Sequence, residues 1–233
     1  MIASPLVVRR RRGLAPGRLR WSLGRRPLAV VARGWLAVAA LGVGVGPAAR
    51  AADSVDDGTL LVASPELKDP NFSHTVILVL RHDDNATLGV VINRPTSLEP
   101  TKIFPELSDL GSYSGKLYRG GPVEATRVLF LVRGLAAAAV QGPEILDKVF
   151  LSGDAESLPD LARLADGPAD LRIYAGHAVW GAGQLAREVQ QGAWQIVPGT
   201  AEIVFHAEPA KLWEQLATPA GGVVADTGAR REP

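Results

Sequence analysis

Residues 171–189 read LRIYAGHAVWGAGQLAREV, and the order of residue types in them predicts a strand, a turn and a helix. The apolar run at 170–176 is typical of a buried strand. The apolar positions that follow the glycines recur with helical spacing until Gly192 ends the pattern. Between strand and helix, the glycine-rich elbow at 176–183 either holds a ligand or only turns the chain beneath Trp180.

Gly181 and Gly183 allow two roles for this elbow. Glycines let a backbone approach an anion, and the first turn of a helix, here at Gln184, offers free N–H groups. Dinucleotide and P-loop sites, however, need a third glycine or a following lysine, and the elbow has neither. It also holds no Ser, Thr or Cys nucleophile. A structural turn, with Trp180 packed on the sheet, is therefore favoured over an anion site.

The rest of the chain predicts one α/β domain whose strands are mixed and largely antiparallel. Two β-branched runs, at 75–83 and 87–95, flank a polar turn and predict a hairpin. The same reasoning places further strands at 59–65, 116–124, 127–134, 147–154, 193–199 and 201–207, and helices near 103–107, 157–167 and 208–217.

The N-terminal part of the chain differs sharply from the body in charge. Residues 1–51 contain ten Arg and no acid, whereas residues 52–233 contain 15 Lys and Arg against 24 Asp and Glu. An acidic body argues against general nucleic-acid binding, which needs clustered cations. The basic run, a short apolar stretch at 34–46 and the Ala49-Arg50-Ala51 pattern predict a signal segment over residues 1–51.

We expect a single domain at 52–218, a flexible tail at 219–233 and export to the periplasm, with the cytoplasm as the alternative. The apolar stretch is shorter than the roughly 20 residues of a membrane span, so no stable span is expected. Two explanations of the long basic region stay open: a twin-arginine signal at Arg25-Arg26, or a true start near Val30 or Val31. The absence of Cys excludes disulfides.

The four histidines predict no metal site. They stand at positions 74, 82, 177 and 206 and form neither an H-x-x-x-H nor an H-E-x-x-H motif. His82 falls in the polar turn of the predicted hairpin, where a solvated role is favoured. Neither catalytic residues nor a cofactor are assigned from the sequence.

Four motifs, in this order, resemble those of the YqgE/AlgH family. They are ASPELKDPNF at 63–72, GVVINRP at 89–95, GGPV at 120–123 and GHAVWGAGQL at 176–185. The resemblance runs from about Thr59 to Leu216. Two positions depart from the family pattern, since Val179 stands where Gly is usual and Ala182 where Pro is usual. A β-branched residue tolerates positive φ badly, so the turn there is expected to differ.

The resemblance implies a bifurcated, mostly antiparallel sheet that is curled into a pseudo-barrel with helices packed outside. It carries no established reaction or cofactor, and one member is named for a proposed regulatory role in alginate synthesis. Members are commonly cytoplasmic. The positions that match the family's structural signature are Pro65, Asp69, Pro70, Asn93, Pro95, Pro122 and Trp180.

The sequence thus favours a non-enzymatic binding or regulatory protein whose partner is an unknown protein or a small anionic ligand. An enzyme with a small-molecule pocket near residues 93–95, 119–123 and 176–184, and an interaction module of the cell envelope, are the alternatives. A deep pocket with His177 beside an arginine would favour the enzyme, and a flat apolar patch the interaction module. The candidate ligand-binding residues are Arg94, Arg119, Gly120, Gly121, His177, Gly181, Gly183 and Gln184.

Overall fold

The structure is a computed structural model that describes residues 55–104, 107, 110 and 113–217. Within these residues nine strands occur: β1 (Thr59–Ala63), β2 (Val76–His82), β3 (Ala86–Val91), β4 (Leu117–Arg119), β5 (Val123–Arg133), β6 (Glu144–Leu146), β7 (Val149–Ser152), β8 (Leu171–Gly181) and β9 (Trp194–Pro198). The helices are α1 (Pro100–Ile103), α2 (Leu158–Leu164), α3 (Gln184–Gln190), α4 (Ala201–Val204) and α5 (Leu212–Leu216). The predicted signal segment and tail lie outside the described residues.

The strands form one mixed sheet in the order β6-β7-β5-β8-β3-β2-β1-β9, and neighbours in this order are antiparallel. β4 pairs with β8 in parallel. The two edge strands, β6 and β9, come close together beside Gly58 and Gly199. A Cβ on Gly58 would lie 2.7 Å from the Leu146 side chain, and one on Gly199, which follows β9, would lie 3.4 Å from the same side chain. This confirms the predicted mostly antiparallel sheet curled into a pseudo-barrel.

β8 is the strand at which the sheet divides. Its first half, from Leu171 to Ala175, pairs with β5 and β4, whereas residues 178–181 pair with β3. Gly176, with a φ of 71°, lies between the halves. The side chains of β8 change faces there, because Ile173 and Ala175 share one outer cluster while Ala178 lies in the other. This fork is the bifurcation that the family resemblance implied.

The position of the fork corrects the predicted elbow. The sequence ended the strand at Gly176 and assigned residues 176–183 to a turn, but β8 continues to Gly181. Pairing with β3 extends it, and only Ala182 and Gly183 separate β8 from α3. The expected turn around Val179 is therefore extended strand, in which a β-branched residue is favourable.

Three apolar clusters hold the sheet and helices together. The central cluster receives side chains from both halves of the sheet and therefore lies inside the curl. The second packs α2 on the outer face of β5, β7 and the first half of β8. The third packs α3 on the outer face of β1, β2, β3 and the second half of β8. α2 and α3 thus pack outside, as predicted, whereas α4 and α5 contribute Val204 and Leu212 to the central cluster.

One further predicted element was wrong. Of the stretch 201–207, which was predicted as a strand, residues Ala201–Val204 form α4, because the Thr200 side chain accepts a hydrogen bond from the Ile203 N–H and caps a helix start. Near the helix predicted at 103–107, α1 begins at Pro100 and ends at Ile103, and residues 105 and 106 lie outside the described residues. Pro is favourable in the first helical turn, where its missing N–H has no partner to lose. The hairpin of β2 and β3 is confirmed.

Candidate functional site

The glycines of the GGPV motif pack against the backbone of β8 at the fork. A Cβ on Gly120 would lie 2.2 Å from the Gly176 oxygen, and one on Gly121 would lie 2.2 Å from the His177 carbonyl carbon. Real side chains do not tolerate such contacts with backbone. Glycine is required at both positions because two chain segments approach closely there. Pro122 follows them and is exposed.

The side chain of Asn93 holds the loop between β1 and β2 in place at its C-terminal end. Its side chain is 5% exposed. Its Oδ1 accepts the Val76 N–H at 2.8 Å, and its Nδ2 donates to the His74 oxygen at 3.0 Å. His74 has a φ of 57°, a left-handed conformation that few non-glycine residues adopt. Asn93 therefore holds the backbone of His74 and Val76 in place.

Arg94 extends the same attachment toward the surface. Its Nη1 donates to the Asn71 oxygen at 2.6 Å and its Nη2 to the Ser73 oxygen at 2.8 Å. Asp69 closes this loop, since its Oδ1 accepts the Asn71 N–H at 2.7 Å and its carbonyl oxygen accepts the Ser73 N–H at 2.7 Å. Pro70 follows Asp69, and Pro65 lies exposed just after β1. The loop is therefore held in one shape beside Arg94.

Arg119 lies next to Arg94, because the Arg119 N–H donates to the Arg94 oxygen at 2.9 Å and Pro95 pairs with Tyr118. The Arg119 side chain is exposed, and within the described residues its guanidinium makes no hydrogen bond or ion pair. The pKa of Arg94 is lowered by burial and then by the charge of Arg119, whereas Asp69 raises it. Two cations thus lie together with one acid nearby.

These residues form a small open cleft on the outer face of the sheet, which we call the arginine cleft. Its volume is 30 Å³, room for only a few water-sized groups at roughly 10–15 Å³ each. The cleft joins a loop held by Arg94 to the wall made by the GGPV segment. Its lining residues are Asn71, Val91, Arg94, Arg119, Gly121 and Pro122.

His177 does not line this cleft. It is 6% exposed, and its backbone pairs with Val123 of β5. Its Nδ1 has no hydrogen-bond partner. Burial lowers the pKa of His177, with Glu124 opposing and Arg127 adding to the shift. The ring is therefore neutral near pH 7. The arrangement that would favour an enzyme, a deep pocket with His177 beside an arginine, is not formed.

Gly181 and Gly183 line a different cavity, of 220 Å³, between the β2–β3 turn and α3. His177 and Gly181 are four positions apart on one strand, which is about 13 Å at roughly 3.3 Å per residue. The Gly181 N–H already donates to the Gln184 Oε1 at 3.2 Å. The structure therefore does not bring the elbow amides together with Arg119, and the single cleft predicted from the sequence separates into two.

The second cavity also has the wrong charge for an anion. Asp83 and Asp84 line it opposite the glycines. The N–H groups of Asn85 and Ala86 donate to Asp83 and lower the pKa of its carboxyl group, so this charge persists at neutral pH. His82 lies exposed at the same rim, in the surface position that the sequence predicted.

Trp180 is 2% exposed, which confirms its predicted burial. Its ring stacks on Phe72 at 6.1 Å and meets Trp194 edge-on at 5.9 Å. Sequence reasoning missed Glu188, whose Oε2 accepts both indole N–H groups at 2.9 Å while its Oε1 accepts from Gln184 at 2.9 Å. The four-residue spacing of Gln184 and Glu188 was the available signal, since it places them on one helix face.

Arg172, another missed residue, is a cation buried in the central cluster. It is 4% exposed, and its Nη1 donates to the Val204 oxygen at 2.8 Å and its Nη2 to the His206 oxygen. Its guanidinium also lies 5.2 Å from the centre of the Tyr118 ring. Arg172 thus ties α4 to β8 and has no access to the arginine cleft.

The described residues form neither a metal-binding cluster nor a membrane-spanning helix. No group of three or more His, Asp or Glu is placed to hold a metal ion there. No helix among those residues has the length and apolar character that crossing a membrane requires.

Comparison with known proteins agrees with the fold. An AlgH-like family model matches residues 60–225. A UPF0301 protein of Streptomyces avermitilis is 38% identical over 163 residues, covering 68% of this chain and 83% of the relative. A UPF0301 protein of Chlamydia muridarum is 32% identical over 169 residues, covering 72% and 88%.

Two solved structures resemble the chain at 26% identity. The crystal structure of protein DIP2367 from Corynebacterium diphtheriae has a TM-score of 0.61 and covers 72% of this chain and 90% of its own. The solution structure of the AlgH protein from Pseudomonas aeruginosa has a TM-score of 0.59 and covers 81% and 100%. With the family match spanning most of the sheet, the fork and its motifs, the chain belongs to the AlgH-like family.

Proposed function

We propose that this protein is a non-enzymatic binding protein that recognises an anionic group in the arginine cleft and acts through that binding. The observation that supports this most directly is Arg119. Its guanidinium is exposed and unpaired within the described residues, beside a second arginine that is already fixed by backbone oxygens. A guanidinium offers five N–H donors in a planar fork that suits carboxylate and phosphate oxygens.

The charges around the cleft set the kind of ligand. Arg94 and Arg119 give two positive charges and Asp69 one negative charge, so a single negative charge on the ligand balances the site. The cleft volume of 30 Å³ accommodates only the anionic group itself, with the remainder of the ligand outside. Charge-assisted hydrogen bonds contribute about 1.5–3 kcal/mol each. Two such bonds correspond to an affinity on the order of millimolar for the isolated group.

The enzyme alternative has weaker support because His177 and the elbow lie outside the arginine cleft. The interaction-module alternative also has weaker support. Apolar patches mark interfaces when they are contiguous. Among the described residues, the exposed large apolar side chains are divided between the α1 region (Leu98 and Ile103), the end of α2 (Leu164) and β8 (Val179).

Export is the second part of the proposal. The basic segment, the apolar stretch and the Ala49-Arg50-Ala51 pattern support a mature chain that begins near Ala52. N-terminal sequencing of the protein from cells tests this directly. Recovery of residues 34–51 on the soluble protein would contradict export and favour the cytoplasmic alternative.

Anion titration tests the arginine cleft. We expect sulfate or acetate to shift the amide signals of Asn71 and Gly121 with millimolar affinity, and Arg119→Ala to weaken sulfate binding about tenfold, which is about 1.4 kcal/mol. Arg187→Ala, an exposed arginine on α3, serves as the control and should leave the affinity unchanged. Absence of saturable shifts, or equal affinity in both variants, would contradict the proposal.

A further inference from the structure

His177 is buried at the fork without a partner for one of its ring nitrogens. Its side chain is 6% exposed, and Nδ1 makes no hydrogen bond. Buried polar atoms are nearly always paired in folded proteins, so an exception needs an explanation. Strand pairing does not account for the unpaired ring nitrogen, because only the backbone of His177 pairs with Val123. The arginine cleft does not account for it either, because His177 does not line that cleft.

The part of β5 that faces His177 is an exposed bulge. β5 pairs with β8 at Val123 and again only at Val128, so residues 124–127 have no register partner on β8. Glu124 has a φ of 47°, and its carboxylate pairs with Arg127 at 3.1 Å. Bulges and strained residues occur often next to functional sites and in switch regions. We call residues 124–127 the β5 bulge.

Both charges that act on the His177 ring come from this bulge. Burial lowers the pKa of His177, and Arg127 lowers it further, whereas Glu124 raises it. The neighbours of the ring on its own strand are Gly176 and Ala178, and the segment on the other side presents the backbone of Gly121, so these bring no charge. Glu124, which follows the residue paired with His177, is therefore the acid that favours a protonated ring.

The same backbone forms one wall of the arginine cleft. A Cβ on Gly121 would lie 2.2 Å from both the carbonyl carbon and oxygen of His177, so the two backbones are in contact. Gly121 and Pro122 line the cleft, and two residues later the chain reaches Glu124. A movement of Glu124 toward His177 would be transmitted to this wall through a very short piece of chain.

We propose that a proton on His177 controls the arginine cleft. In the neutral state Glu124 is paired with Arg127. When the ring takes a proton from solvent, Glu124 exchanges Arg127 for the ring, the β5 bulge moves, and the wall at Gly121 and Pro122 shifts with it. The added positive charge beside that wall then strengthens anion binding. This inference rests on the proposed function, since it concerns the regulation of the same cleft.

NMR titration with sulfate tests the inference, because sulfate keeps its charge from about pH 8 to about pH 5.5, the range in which histidines titrate. We expect the amide signals of residues 123–127 to move with the His177 ring signals. We also expect sulfate to bind about threefold more tightly at the lower pH, as one added charge at moderate distance would give. Glu124→Gln is exposed and should fold. It should abolish the movement of residues 123–127, because a neutral amide does not exchange Arg127 for the protonated ring.

His82→Asn is the matched control, because it removes a histidine at the other cavity and should leave both effects intact. Sulfate affinity that does not change with pH, or a His177 titration without movement of residues 123–127, overturns this inference and leaves the proposed function standing. Absence of sulfate binding at either pH overturns the proposed function and, with it, control of the cleft. Persistence of the movement of residues 123–127 in Glu124→Gln also overturns the inference.

Discussion

Gly176 stands where β8 changes partners, and its replacement by alanine measures how strongly the fork depends on backbone contact. Its φ of 71° is left-handed, which costs a non-glycine residue about 1–2 kcal/mol. The new Cβ would lie 2.6 Å from the Gly121 oxygen and 2.9 Å from the Val123 oxygen. Overpacking of this kind costs about 1–3 kcal/mol. We expect Gly176→Ala to lower the free energy of unfolding by about 2–5 kcal/mol.

Urea denaturation followed by tryptophan fluorescence measures this change. With a slope of about 2 kcal/mol per molar, the midpoint should fall by about 1–2.5 M. Gly181→Ala is the matched control on the same strand, because its Cβ would meet no atom within 4 Å. Its free energy of unfolding should change by less than about 0.5 kcal/mol. If the two variants unfold at the same urea concentration, the fork does not depend on the contact at Gly176.

Three further substitutions or conditions test the remaining packing and charge. Trp180→Ala should lower the free energy of unfolding by about 3–5 kcal/mol because the ring is buried on Phe72; an unchanged denaturation midpoint would mean that the ring is exposed and free to stack on a ligand. Glu188→Ala should lower the free energy of unfolding by about 1.5–3 kcal/mol and speed hydrogen exchange in α3, since two indole N–H groups lose their acceptor. Exposed Glu214 on α5 provides the control variant, Glu214→Ala, and equal exchange rates in the two variants would contradict the role of Glu188. Because burial lowers the pKa of His177 below its ordinary 6.5, the unfolded chain binds the proton first, so stability should fall as pH decreases below 6.5; an equally steep decline in His177→Asn would show that other groups cause it.

Most strands were predicted correctly because the patterns that identify them involve residues that are close together in the sequence. The runs in β2 and β3 combine β-branched residues with a polar turn, and this is sufficient for a hairpin. The end of β8 was misplaced because Gly176 resembles a strand terminator. Glycine is required at position 176 because the chain there contacts Gly121, which is 55 positions away in sequence. A contact of this kind leaves no periodic signal near Gly176.

The residues of the candidate site were likewise only partly predicted from the sequence. Arg94 and Arg119 were both named from motifs, and the structure brings them together because β4 runs beside the segment that follows β3. Gly181 and Gly183 were grouped with them on the assumption that the strand ended at Gly176. Once β8 continues for five more residues, these glycines are carried toward Asp83 and Asp84 instead. α4 was also mispredicted. Ile203 and Val204 favour a strand, but the Thr200 side chain caps the start of a helix there.

The pairing of β1 with β9 has a consequence for how the protein is made. Thr59 of β1 lies opposite Pro198 of β9, so β1 cannot complete its pairing until β9 has been synthesised. Ribosomes add about 5–20 residues per second, and the wait is therefore on the order of 7–30 s. During that time the apolar residues Leu60 and Leu61 have no strand on one side. The nascent chain thus stays open to chaperones, or to a translocation machine that requires unfolded substrates, until its final strand emerges.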